Sequence, residues 1–258
     1  MWVMLPHGYP PLIYHPTKGL TYMAKQSKAE KRKSQFTGSI KNLDIPECGF
    51  YNMREKMTDE QIEYARSILH NRLTFVNAGS GTGKTTVAVA TMKFLYDLGI
   101  INKVVYVFSP CQEKALGYRP GNTEEKIADY ILPLTDALIE IGEMPEKAMD
   151  EEHGWCKAVP DTFLRGSNLK NAGIIIDEAQ NYTKLTLKKT MTRIHDTCHA
   201  CVIGSTNQID LPRPDDSGFE AMMYLFSQYQ DEIEVGFCEL SVDFRGKISQ
   251  IADKLPIR

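Results

Sequence analysis

No uninterrupted run of about 18 apolar residues occurs in the chain, so no segment is expected to cross a membrane as a helix. The apolar start Met1–Tyr14 is broken by prolines and lacks a cationic lead, and it does not read as a secretory signal. The six cysteines fall at no framework spacing, which predicts reduced thiols and a cytoplasmic protein. A positive charge balance is missing too. The formal net charge is −3, so binding to nucleic acid would need a local patch. No internal repeat is visible. What is there, 42% hydrophobic and 24% charged residues over 258 positions, is the composition of one globular domain or one domain with an appendage.

One stretch carries recognisable chemistry: Ala78-Gly79-Ser80-Gly81-Thr82-Gly83-Lys84-Thr85-Thr86. It follows the apolar run Leu73–Val76 and opens the run Thr86–Leu98, read as an amphipathic helix. Glycines let successive backbone N–H groups point into one concavity, and the helix N-terminus adds partial positive charge. Lys84 would reach the β- and γ-phosphates of a nucleotide, and Thr85 would place its hydroxyl on Mg²⁺. The strict pattern begins with Gly where this chain has Ala78. A flexible Gly/Ser turn is the bland alternative.

The second signal is Ile174-Ile175-Ile176-Asp177-Glu178-Ala179-Gln180. Its β-branched run predicts a central parallel strand, and α/β sheets place ligands at the C-terminal ends of such strands. There Asp177 would hold Mg²⁺ through water, and Glu178 would orient the attacking water or accept its proton. The bland reading is a pair of surface acids in a turn. A third strand, Cys201–Gly204, leads into Ser205–Pro212, where Gln208 is the candidate γ-phosphate sensor.

The remaining chain alternates in the same way. Thr58 with Gln61 fits a capping box opening a helix, while a functional reading puts Gln61 on an adenine edge. Gly99 fits a helix C-cap, and Val104–Phe108 a buried strand ended by Pro110. Residues 111–121 read as a loop. Helical pattern runs from about Thr123 to Ile141, interrupted at Pro133, and a polar, mobile connection follows over Met144–Gly154. Trp155–Val159 reads as a short strand. Thr183 caps a helix with the stripe Leu187, Met191 and Ile194. Ser217–Gln230, Glu234–Leu240 and Gly246–Leu255 read as helix, strand and helix. The alternation predicts a parallel sheet covered on both faces. His195, Cys198, His199 and Cys201 have metal-ligating side chains, but no second pair closes a zinc site. Asn207-Gln208-Ile209-Asp210 has Gln where guanine readers have Lys, and Asp177 has no Gly three residues on, which argues against a GTPase. A small-molecule kinase would lack a use for Glu178, and no cation-rich lid segment is visible.

With Asp177-Glu178-Ala179-Gln180-Asn181, Leu116-Gly117-Tyr118-x-Pro120-Gly121, Pro133-Leu134-x-Asp136-Ala137-Leu138, Phe163-Leu164-Arg165-Gly166 and Gln208-Ile209-Asp210-Leu211-Pro212 in one order, residues 55–255 resemble the PhoH family of phosphate-starvation-inducible ATPases. These are related to the motor core of superfamily 1 helicases. The resemblance implies a P-loop NTPase of α/β class, a single RecA-like domain over residues 51–258 with an N-terminal extension over 1–50. It implies ATP and Mg²⁺ as ligands, and RNA or single-stranded nucleic acid as the partner of a helicase-like remodeller. The alternatives are an ATP-driven assembly or regulatory switch and a degenerate nucleotide binder. The resemblance makes Arg245 the charge-stabilising arginine, acting in cis or on a neighbour; its bland reading is a pair with Asp243. Arg165 is a weaker candidate for a nucleic-acid or subunit contact. Gly204-Ser205 and Ser109-Pro110 stand where the family has Gly-Asp and Arg-Pro, which predicts weaker metal or phosphate coordination. Superfamily 1 motors close their site with a second domain, so the expectation here is a homo-oligomer, closed as a ring such as a hexamer.

Residues 1–50 are too short and too poor in carboxylates for the ribonuclease domain that some relatives carry. Lys25–Lys33 holds five cations against Glu30, read either as a phosphate-touching arm or as a solvated tail. Met23-Ala24-Lys25 resembles a start of translation, so residues 1–22 are expected to be dispensable or unmade. Mass spectrometry of the native protein should then find no peptide from 1–22.

Overall fold

The described residues of this computed structural model are 12–15, 19–22, 40–47, 50–110, 123–164, 166–253 and 255; for 12–15, 19–22 and 123–128 only the backbone is described. Lys25–Lys33, Leu116–Gly121 and Arg165 lie outside them. Within residues 1–22, β1 (Leu12–His15) and β2 (Gly19–Tyr22) pair as an antiparallel hairpin.

Six further strands form one sheet: β3 (Leu73–Ala78), β4 (Val104–Phe108), β5 (Cys156–Pro160), β6 (Gly173–Ile176), β7 (His199–Gly204) and β8 (Val235–Leu240). Their order is β5-β4-β6-β7-β3-β8, and every pairing is parallel. The α/β class and the parallel sheet expected from the alternation are therefore present. The strand of the phosphate loop, β3, and the acidic strand, β6, are separated by β7, which pairs with both.

The helices are α1 (Asp59–His70), α2 (Lys84–Asp97), α3 (Thr123–Glu140), α4 (Pro145–Ala148), α5 (Lys184–Met191), α6 (Phe219–Ser227) and α7 (Lys247–Ala252). None of the described helices is long and apolar enough to cross a membrane. Successive strand residues point to opposite faces, and two cores follow from that. Val76, Tyr106, Ile175 and Ile203 pack with Ala65 of α1, Val89 of α2 and Leu138 of α3. Phe75, Val107, Ile176 and Val202 pack on the other face with Leu187 of α5 and Phe219 of α6. Ile45 and Phe50, ahead of α1, are buried in the first core.

Three local readings change. The loop helix α2 is not amphipathic: Val87, Ala88, Val89, Ala90, Met92 and Leu95 are all buried, because sheet, α1 and α3 enclose it. Helix α3 runs on through Pro133 despite the lost backbone donor, held by Leu134, Ala137 and Leu138 against the core. Within the expected polar connection at 144–154 stands the single-turn helix α4, with Ala148 buried.

The first strand residue of β7 is charge-sensitive. His199 is buried, with Nδ1 3.1 Å from the Ile68 carbonyl oxygen. Burial, with the nearby Arg72 charge adding to it, holds its imidazole below the usual value, against the opposing pull of that carbonyl and of Glu234. The unfolded chain protonates this group near a pH of about 6.5. Its contribution is therefore full above that pH and is lost as pH falls below it, because the unfolded state then binds the extra proton. The urea midpoint of the wild type should drop between pH 7 and pH 5, and that of His199→Gln should drop less.

Candidate functional site

Three loops at the C-terminal ends of β3, β6 and β7 converge. The phosphate loop is shaped by Gly81 and Gly83, at φ of 73° and 74°, values that favour glycine. A side chain at Gly81 would collide with Arg245 and Asp243, and one at Gly83 with Gln61. Lys84, the first residue of α2, is buried along its length, and its Nζ donates to the Gly79 carbonyl at 3.4 Å. The same Nζ lies 3.8 Å from Glu178 Oε1.

Asp177 joins the loop to the acidic strand. Its Oδ2 accepts from Thr85 Oγ1 at 2.9 Å and from the Tyr106 hydroxyl at 2.9 Å. Its Oδ1 accepts from the Glu178 backbone N–H at 2.9 Å. Burial pushes the Tyr106 phenol well above its usual range and the Asp177 charge adds to this, so it stays a donor. Tyr106 escaped the sequence reading because β4 showed only as a buried apolar run. A phenol in such a strand still needs a partner for its O–H, and that was the available signal.

Glu178 has left-handed backbone, φ 51° and ψ 40°, a conformation uncommon for a non-glycine residue and frequent where side chains are aimed at a site. The protein packed around its carboxyl, then Asp177, raise its affinity for a proton, while Lys84 opposes them. Its Oε2 accepts from Gln180 Nε2 at 2.6 Å. Gln180 in turn accepts at Oε1 from the Ser205 N–H at 3.1 Å, so one buried amide ties the acidic turn to the loop after β7. Asn181 and Asp210 make two more bonds between these turns, Asn181 Nδ2 to Asp210 Oδ2 at 3.2 Å and the Asp210 N–H to Asn181 Oδ1 at 2.8 Å.

The loop after β7 also reaches the phosphate loop. Gln208 Oε1 accepts from Ser80 Oγ at 3.0 Å, and the Thr206 N–H donates to Asn77 Oδ1 at 3.0 Å. Gln208 thus sits beside the phosphate cradle, as its strand position suggested. The roles of Gln180 and Asn77 were not visible in the sequence, since each acts across more than 20 residues of chain separation.

Gln61 makes the capping box with Thr58, accepting the Thr58 N–H at 3.1 Å, and its Nε2 donates to the Thr82 carbonyl at 2.9 Å. One end of its amide therefore caps α1 and the other braces the phosphate loop, and an adenine contact would displace one of these bonds. Arg245 lies against Gly81, paired with Asp243 at 2.9 Å and with Asp253, and the Phe244 N–H donates to the Gly81 carbonyl at 2.9 Å. Beside Gly81 and Gly83 opens a cavity of about 510 Å³ lined by Tyr51, Met53, Met57, Gln61, Thr86 and Phe244, among others. The metal-ligating side chains His195, Cys198, His199 and Cys201 do not converge: Cys198 Sγ faces the Leu169 carbonyl in one core and Cys201 Sγ the Tyr64 hydroxyl in the other.

A family model described as PhoH-like protein matches residues 54–251. A PhoH-like protein of Bacillus subtilis (strain 168) is 35% identical over 194 residues, covering 74% of this chain and 60% of that protein. A PhoH-like protein of Synechocystis sp. is 33% identical over 190 residues, covering 71% and 56%. Protein PhoH of Escherichia coli (strain K12) is 29% identical over 173 residues, covering 66% and 49%. The chain thus spans about half to three-fifths of the length of these relatives. Among solved structures it is similar to a large terminase from a thermophilic bacteriophage in complex with ADP, at TM-score 0.46 and 11% identity over 76% of this chain and 48% of that one, a likeness too distant to bear on function.

Replacing Gln180 with Leu would leave the buried Ser205 N–H unpaired and Glu178 without its amide donor. A loss of about 1–3 kcal/mol in unfolding free energy is expected, measured by urea denaturation.

Proposed function

This chain belongs to the PhoH-like family, and from that premise we propose that it is an Mg²⁺-dependent ATPase whose partner is RNA or single-stranded nucleic acid. The observation that carries the reading is the Thr85–Asp177 hydrogen bond at 2.9 Å, with Lys84 and Glu178 3.8 Å apart beside it. It brings a phosphate cradle, an acidic oxygen pair and a candidate base together in one recess.

Phosphate oxygens accept from the loop N–H groups and from Lys84 Nζ. The donor set at Thr85 and Asp177 is all oxygen, a hydroxyl and a carboxylate, which suits Mg²⁺, an ion that keeps most of its water and takes one or two protein oxygens. Those two residues would hold it, and it would supply charge neutralisation at the phosphates. Glu178 orients a water and accepts its proton as the water oxygen bonds to the terminal phosphorus and the bond to the bridging oxygen breaks. Gln180 holds that carboxylate in place. Gln208, through Ser80, reports on the terminal phosphate. Arg245, now neutralised by Asp243 and Asp253, would contribute charge after release, to its own site or a neighbour's.

The nucleic-acid partner rests on the helicase-like motif order. An assembly or regulatory ATPase without such a partner is the second reading, favoured by the net charge of −3 and by the exposure of Phe244, beside the phosphate loop, and of Ile248 and Ile251 on α7. Those apolar side chains also support a homo-oligomer, a ring among its forms. A cytoplasmic setting agrees with the free thiols among the described residues.

Phosphate-release assays test both levels. Lys84→Ala should weaken ATP binding and abolish turnover. Glu178→Gln should retain binding and slow turnover by about 10²–10⁴-fold; normal turnover would remove Glu178 from its role. Single-stranded RNA should stimulate the wild type, less so as salt rises. Absence of stimulation and of RNA binding at low salt would favour the assembly reading.

A further inference from the structure

The cavity of about 510 Å³ beside Gly81 and Gly83 contains one carboxylate, Glu140. Two other large cavities, of about 540 and 460 Å³, include no residue of the phosphate loop. Of these three cavities, this is the one that borders the phosphate loop, and it has room for the sugar and base of a nucleotide whose phosphates sit in the loop. The walls are divided. Tyr51, Met53, Met57 and Phe244 supply apolar and aromatic surface suited to a base, while the polar pair Thr86 and Glu140 stands where the first turn of α2 meets the end of α3.

That pair is hydrogen-bonded. Thr86 Oγ1 donates to Glu140 Oε2 at 3.0 Å. Thr86 follows two residues after Lys84, whose Nζ is placed at the phosphates, so its partner Glu140 lies close to the phosphate chain. A carboxylate facing phosphate oxygens would be repelled. A carboxylate facing the next group along a nucleotide, the sugar, meets two hydroxyl donors. It is an acceptor-only group, and its bonds from hydroxyls are charge-assisted. Glu140 Oε1 has no hydrogen-bond partner among the described residues.

We propose that Glu140 reads the ribose of the bound nucleotide, its free carboxylate oxygen accepting from the 2′-hydroxyl while Thr86 holds the other, so that the site selects ribonucleotides over 2′-deoxyribonucleotides. This rests on the nucleotide-binding reading of the phosphate loop. It assigns Glu140 as a specificity determinant and leaves the hydrolytic residues unchanged.

Calorimetric titration with ADP, 2′-deoxy-ADP and GDP tests it, on the full chain with Mg²⁺ present. The wild type should bind ADP about ten to a hundred times more tightly than 2′-deoxy-ADP. In Glu140→Ala that ratio should collapse toward unity, and in Glu140→Gln and Thr86→Val it should fall part-way. Urea midpoints of the variants near that of the wild type show that the fold is kept. An ADP to 2′-deoxy-ADP ratio that Glu140→Ala leaves unchanged overturns the assignment. So does a change confined to the ADP to GDP ratio, which would make Glu140 a reader of the base. If a folded wild type binds none of the three, the phosphate-loop reading itself fails and takes this one with it, a result distinct from a retained ratio.

Discussion

The hydrogen bond from Thr85 to Asp177 is the constraint on which the site depends. It spans 92 residues of chain and links the first turn of α2 to the end of β6. Neither strand touches the other: β7 lies between β3 and β6, in register with both. The bond can form because β6 ends level with Phe75, short of the ends of β3 and β7, and its acidic turn lies beside the first turn of α2. Tyr106, from β4 on the far side of β6, donates to the same carboxylate oxygen, so Asp177 is gripped from both directions along the sheet. A buried acid with three donors has little freedom to rotate.

The polar network beyond Asp177 has a consistent logic. Glu178 is held in an uncommon backbone conformation, and the amide of Gln180 receives its carboxylate on one side and supports the Ser205 N–H on the other. Gln208 and Asn77 then fasten the third loop to the phosphate cradle. A shift at the cradle must move at least one of these bonds. Arg245 shows the opposite arrangement: two carboxylates neutralise it while Phe244 anchors its segment to Gly81, so its charge is available only after a rearrangement.

Much of this was legible in the residues. Alternating apolar and helical periods set out β3, β4, β6 and β7 to within a few residues, because strands buried on both faces are written as continuous β-branched runs. Thr58 and Thr183 announced the caps they make, since capping is decided within four residues of chain. The helix α2 was misread as amphipathic because its threonines and lysines look solvent-facing until the sheet and two helices close over them. Pro133 looked like a break because local propensity counts its lost hydrogen bond and not the buried side chains on either side.

By itself the sequence determined the chemistry on offer: a glycine loop that only φ-positive residues can form, a lysine and threonine at its end, and two adjacent acids after an apolar strand. Those are local facts, and local backbone rules are enough to read them. Tertiary structure decided which groups meet. That β7 would stand between the two strands, that Tyr106 would share an oxygen with Thr85, that Gln61 would spend its amide on Thr82, and that Glu140 would reach Thr86 all depend on strand order and helix packing. Such contacts join residues from 21 to 92 positions apart, and no period or propensity encodes a distance of that kind.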